Sequence, residues 1–241
     1  MLTTLPFTYN IRRSHRVANA RIVVKPGLVE IVAPLQMPEH KLHKFVESKQ
    51  QWVSQALKKM AASSPEQSGF APVEYNSGAM ITYQGSAYPL MLKPSKLKRV
   101  KIEFTDGYIA YVPQTMSPDE QNGEIKEALI KWMKKQTKQL VVKIVENHAT
   151  KKQLFPRTIT VKTQKSRWGS CGIHNDININ WLLLMAPKEV LEYVVVHELC
   201  HIKVKNHSSQ FWSLVAEHLP DYKNRRNWLK KQGRSLMMAF S

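Results

Sequence analysis

The apolar positions of the first part of the chain change period twice. Ile22-Val23-Val24 and Val29-Glu30-Ile31-Val32 are β-branched runs on either side of Lys25-Pro26-Gly27-Leu28, and Pro-Gly between such runs predicts a β-hairpin. From Pro38 to about Ala62 the spacing lengthens. Leu42, Phe45, Val46, Trp52, Val53 and Leu57 recur mostly at steps of three and four, which predicts one long amphipathic helix with Pro38 in its first turn. Ser63-Ser64-Pro65-Glu66-Gln67-Ser68-Gly69 is polar and rich in breakers, and reads as a surface connector. Period two then returns. Met80-Ile81-Thr82-Tyr83, Tyr88-Pro89-Leu90-Met91-Leu92, Val100-Lys101-Ile102-Glu103-Phe104 and Tyr108-Ile109-Ala110-Tyr111-Val112 are four strands, expected to form a small antiparallel sheet.

Ser117-Pro118-Asp119-Glu120 is a helix start, and Ile125, Leu129, Trp132, Met133, Leu140, Val141, Ile144 and Val145 carry that helix to about Ala149. Thr158-Ile159-Thr160-Val161-Lys162 predicts a strand, and Ser166-Arg167-Trp168-Gly169-Ser170-Cys171-Gly172 a glycine-containing turn. Ile177-Asn178-Ile179-Asn180-Trp181 alternates again, and Leu182-Leu183-Leu184-Met185 continues it as an apolar run. The fold class is α+β. The expected division is a β-rich region with one long helix over 1–115, and a region over 116–241 with a small sheet and a metal-binding helix-turn-helix.

The last region carries the chemistry. Pro187 opens a helix with a packed face of Val190, Leu191, Val194 and Val195, and the helix runs into His197-Glu198-Leu199-Cys200-His201. Residues four apart on a helix lie about 40° apart and roughly 6 Å along the axis, so His197 and His201 can face one ion. Glu198 sits one step round, placed to accept a proton from water activated by that ion. His207 follows His201 by six residues. A continuous helix would turn it about 240° away, so the helix has to break first. Asn206 tolerates a left-handed turn, and Ser208 is placed to cap a second helix carrying Phe211, Trp212, Leu214, Val215 and Leu219. His207 ranks first as third ligand; Glu217, His218 and Asp221 are rivals, because a carboxylate from a following helix also completes such sites. Imidazole donors favour one Zn2+, although other divalent ions suit an all-histidine site. Arg167, Trp168 and Tyr222 are candidates for substrate contact. Arg167 and Tyr222 are also candidates for oxyanion stabilisation, and Trp168 is read mainly as packing on the metal helix.

These segments resemble the YgjP-like metallopeptidase family, zincin-type proteins distantly similar to SprT-like metalloproteases. The resemblance is carried by Arg167-Trp168-Gly169-Ser170-Cys171, by Asn178-Ile179-Asn180-Trp181 before an apolar run and Pro187, and by Tyr193 to His201 with Asn206-His207-Ser208 and Phe211-Trp212. Weaker similarity extends over the β-rich half, Trp52 included. The family implies a zincin-like catalytic region over 116–241, with His197, His201 and His207 as zinc ligands and Glu198 as catalytic base. Val204 stands where metzincins with the same histidine gap carry glycine.

Composition adjusts this picture at its edges. With 241 residues, 43% of them hydrophobic, the chain can bury one large core or two smaller ones. No apolar run reaches the roughly 18 residues of a membrane span, and Met1 to Phe7 lacks the order of a signal peptide, so a cytoplasmic location is expected. Cys171 and Cys200 are too few for a disulfide framework and are read as reduced. Thirty-six Lys plus Arg against 18 Asp plus Glu give +18, which attracts polyanions. In the first half, Arg12-Arg13-Ser14-His15-Arg16 is the densest basic patch and the best candidate there for a phosphate contact. Three functions follow in order: a zinc metallopeptidase, a metal-dependent hydrolase of nucleotide phosphoanhydrides, and a nucleic-acid-associated basic protein with a metallopeptidase domain. The substrate is accordingly a peptide or a nucleotide.

Overall fold

The computed structural model describes residues 5–15, 17–25, 28–62 and 69–240. Arg16, the Pro26-Gly27 turn and most of the connector, 63–68, lie outside the described residues. The fold is mixed α and β, and the chain divides into two compact units, Met1–Glu66 and Gln67–Ser241.

In the first unit, strands β1 (Asn10–Arg13), β2 (Arg21–Lys25) and β3 (Leu28–Ala33) form a sheet of order β1-β3-β2. β2 and β3 pair antiparallel, as the hairpin reading expects, while β1 adds itself parallel to β3. Helices α1 (Glu39–Ser48) and α2 (Gln50–Ala62) follow. The single helix expected there is therefore interrupted at Lys49, the C-cap of α1. Ile31, Ala33, Leu42 and Val46 form this unit's core. The basic patch is engaged structurally: Arg12 pairs with Glu30 at 3.2 Å, and Arg13 Nη1 donates to the Pro34 and Met37 carbonyls.

The second unit holds two sheets and the remaining helices. β4 (Met80–Tyr83), β5 (Ser86–Ser95), β6 (Lys101–Phe104) and β7 (Tyr108–Pro113) have the order β4-β5-β7-β6. β5 and β7 are parallel, so the sheet is mixed where an antiparallel one was expected; the β6–β7 hairpin folds back so that β7 occupies the inner place beside β5. Helix α3 (Pro118–Lys152) buries Ile125, Leu129, Met133, Thr137, Val141, Val145 and Ala149, one residue every fourth, and ends at a left-handed Gln153. β8 (Thr158–Lys162), β9 (Gly169–Cys171) and β10 (Asp176–Asn180) form a sheet of order β8-β10-β9, with β9 at its edge.

Trp181–Met185 is a 3-10 helix rather than a continuation of β10. All five residues are buried, and the amides of Gln84 and Gly85 in the β4–β5 turn donate to the Leu184 and Met185 carbonyls. That turn needs positive φ at both residues, and a Cβ on Gly85 would meet Pro187 at 3.2 Å. The contact fixes where α4 (Lys188–Cys200) begins; α5 (Ser209–His218) and α6 (Tyr222–Met237) complete the unit. Tyr75, Ile81, Leu90 and Tyr108 share one core with Leu129, Met133 and Val195. Through this common core the sheet of β4 to β7 buries its inner face against α3 within the second compact unit, Gln67–Ser241. No helix among the described residues is long and apolar enough to cross a membrane.

Candidate metal centre

Helix α4 delivers two of the centre's side chains and then stops. Its last turn closes through Ile202 N to the Leu199 carbonyl and Val204 N to the Cys200 carbonyl, and the chain reverses. Asn206 is not left-handed; its Oδ1 accepts from Ser208 N at 3.2 Å, forming a local side-chain turn. Ser208 is the N-cap of α5, in extended geometry, and its hydroxyl makes no capping bond. The reversal returns His207 to the face of α4 carrying His197 and His201. His207 Nε2 lies 3.0 Å from His197 Nε2 and 3.1 Å from His201 Nε2.

Three ring nitrogens this close, with no carboxylate among them, suit a cation. A tetrahedral ion with bonds of about 2.0–2.1 Å holds its donors about 3.3 Å apart. Burial pulls the His197 pKa down to about 3, with His201 and His207 adding to the effect, and burial also lowers His201. Both imidazoles are therefore neutral at physiological pH and keep a lone pair. His201 Nδ1 lies 2.9 Å from the Val204 carbonyl, which can only accept, so this nitrogen carries the hydrogen and Nε2 is left bare towards the centre. His197 Nδ1 is buried with no hydrogen-bond partner among the described residues.

Aromatic rings form the floor. Phe211, fully buried, stacks on His201 at 4.4 Å and meets the rings of His197 and His207 at 4.9 Å each. Trp212 stacks on His207 at 5.6 Å, and Tyr222 stacks on Trp212 at 5.4 Å. Tyr222 is thus a buried ring that backs Trp212.

Glu198 is buried, 6% exposed, against β9. A Cβ on Gly169 would lie 2.6 Å from its Oε1, so the carboxyl occupies the place where any other residue would put a side chain. Burial pushes its pKa up to about 7, and the Arg167 guanidinium draws it part of the way back. Arg167 itself is exposed, two residues before β9. Its neighbour Trp168 packs against the core and lies on α6, where a Cβ on Gly233 would meet the indole at 3.3 Å. Asn180 pins the approach to β9: fully buried, it donates through Nδ2 to the Gln164 and Arg167 carbonyls at 2.9 and 3.1 Å.

The rival ligands sit elsewhere. Glu217 pairs with Lys152 and Asp221 with Arg225. His218 faces His148, Nδ1 to Nδ1, at 3.2 Å. His148 in turn contacts Glu192 at 3.1 Å, and Glu192 is held by Arg225 at 2.6 Å, a network joining α3, α4, α5 and α6. Among the described residues, His197, His201 and His207 are the group that could hold a metal ion. Cys171 and Cys200 are both free thiols, the second fully buried. The contribution of Phe211, Gly169 and Asn180 to the centre was not readable from spacing; a Gly beside Trp and an Asn ending an alternating run were the signals present.

A family model described as the YgjP-like metallopeptidase domain matches residues 18–232. No curated protein matches the chain. Among solved structures, the metallopeptidase zymogen abylysin of Pyrococcus abyssi is 21% identical, with 38% of this chain and 93% of that chain covered and a TM-score of 0.35. The chain is a member of the YgjP-like metallopeptidase family.

Proposed function

We propose that this metallopeptidase-like hydrolase cleaves peptide bonds with a zinc ion held by His197, His201 and His207, and with Glu198 as general base. The observation that carries the reading is the place of the Glu198 carboxyl, one residue from the converging imidazoles and flush against an edge strand. When bound, a divalent ion there supplies a Lewis acid and brings the pKa of water beside it to about 7. Glu198 takes the proton of the attacking water and passes it to the leaving amine. A cation at the histidines also draws the Glu198 carboxyl below about 7, so the base is ionised when the site is loaded. β9 pairs with β10 on one side, and its other edge can receive an extended peptide by strand addition beside Glu198. Nucleoside triphosphates are the rival substrate, since the same activated water can attack phosphorus. Incubating zinc-loaded protein and its Glu198→Gln variant with peptide and nucleotide panels decides the matter. Glu198-dependent cleavage of peptides is the expected result; Glu198-dependent release of phosphate with every peptide intact overturns it.

A further inference from the structure

Three cations stand near the centre and none of them forms an ion pair among the described residues, although Arg167 acts through space on Glu198. Arg226, exposed on α6, lays its guanidinium 4.5 Å over the Trp212 ring, the ring that stacks on His207. Arg167 precedes β9, and because Asn180 holds its carbonyl, its side chain departs from a fixed point near Glu198. Lys205 stands at the far end of the same strand, its Nζ donating to Asn175 Oδ1 at 2.9 Å and the Gly172 carbonyl at 3.4 Å. Ion pairs of the second unit engage other groups: Arg225 with Asp221 and Glu192, Lys152 with Glu217, and Arg157 with Asp176. Asp176, on the strand next to β9, is thereby balanced by Arg157, and Arg167 is the cation that acts on Glu198. Charges more than about 8–10 Å away are screened at physiological salt, so cations close to the centre weigh more with a substrate there than the +18 of the whole chain.

We propose that the centre selects acidic peptides, with carboxylate side chains flanking the scissile bond received by Arg167 and Lys205 along β9 and by Arg226 beside His207. The proposal rests on the peptidase reading above. An extended peptide advances about 3.3 Å per residue, so the stretch from Arg167 to Gly172 faces about five or six substrate residues, enough to place one acid on each side of the cleaved bond. The contact of the Arg226 guanidinium with the Trp212 ring orients it beside His207, and a cation so placed pairs with a carboxylate at lower entropic cost than a free one.

The test uses full-length, zinc-loaded protein and a pool of peptides that share one cleavable core flanked by Asp and Glu, by Asn and Gln, or by Lys. Competitive mass spectrometry reads relative kcat/KM. The expected result is a preference of about tenfold or more for acidic over lysine flanks, shrinking as salt rises. Arg226→Glu and Arg167→Glu narrow or invert that preference at unchanged zinc content, and Arg226→Gln serves if charge reversal impairs folding. Glu198-dependent cleavage at equal kcat/KM for all three pools overturns the proposal while leaving the peptidase reading intact. If no peptide is cut, the peptidase reading fails. Fluorescence anisotropy of the same peptides on zinc-loaded Glu198→Gln then decides the proposal separately: tighter binding of the acidic pool supports it, and equal binding refutes it.

Discussion

Glu198 and Gly169 are the pair on which the chemistry turns. The missing side chain at 169 is what lets a carboxyl lie against β9, so Gly169→Ala has to displace Glu198, whose Oε1 sits 2.6 Å from the added carbon. Activity is expected to fall by about 10²-fold or more with zinc content unchanged, read from kcat/KM beside metal analysis. Loss of zinc together with activity would show instead that the whole centre had collapsed. Glu198 also makes a pH prediction. In the metal-free protein its folded pKa of about 7 stands above the ordinary 4.5, so the folded state binds more protons in that window. The associated stability is complete below about pH 4.5 and is lost as pH rises through 7. After chelation, Glu198→Gln should therefore melt close to wild type near pH 5 and a few degrees higher at pH 8 by calorimetry. A melting difference independent of pH would contradict this.

At the scale of elements, the centre is two helices joined by a forced reversal. His207→Ala is expected to weaken zinc affinity by about 100-fold or more, whereas Glu217→Ala, whose carboxylate is paired with Lys152, leaves it unchanged; zinc retained by the first variant and lost by the second would reverse the ligand assignment. The need for a break between His201 and His207 was legible because helical geometry allows nothing else. The device was not: Asn206 accepts from Ser208 N instead of turning left-handed, a choice made by side-chain placement rather than residue type. The Leu182-to-Met185 run was equally opaque, since uniform burial erases the period that separates strand from helix. Asn180, which ties the 164–168 stretch to β10, is expected to cost on the order of 2–3 kcal/mol as Asn180→Ala. Amide exchange should then rise first at residues 164–171; unchanged exchange there would remove its role in positioning β9.

For the whole molecule, the pattern of apolar residues located most helices and strands but not how they pack on one another. Period two identifies a strand without revealing what covers its inner face, and the sheet of β4 to β7 is covered by α3. Parallel pairing of β5 with β7 was hidden for the same reason, because register depends on neighbours distant in sequence. The charge excess was legible as a number, whereas the pairing of Glu217, Asp176, Glu192 and Asp221 with Lys152, Arg157 and Arg225 was not. The central claim is that a peptide bond is cut at the three histidines with Glu198 as base. Its most direct test is cleavage of a peptide panel by wild type and Glu198→Gln, each holding one equivalent of zinc. The account predicts turnover by wild type and a loss of about 10³-fold or more in the variant at equal zinc content. Undiminished cleavage by the zinc-loaded variant would contradict it.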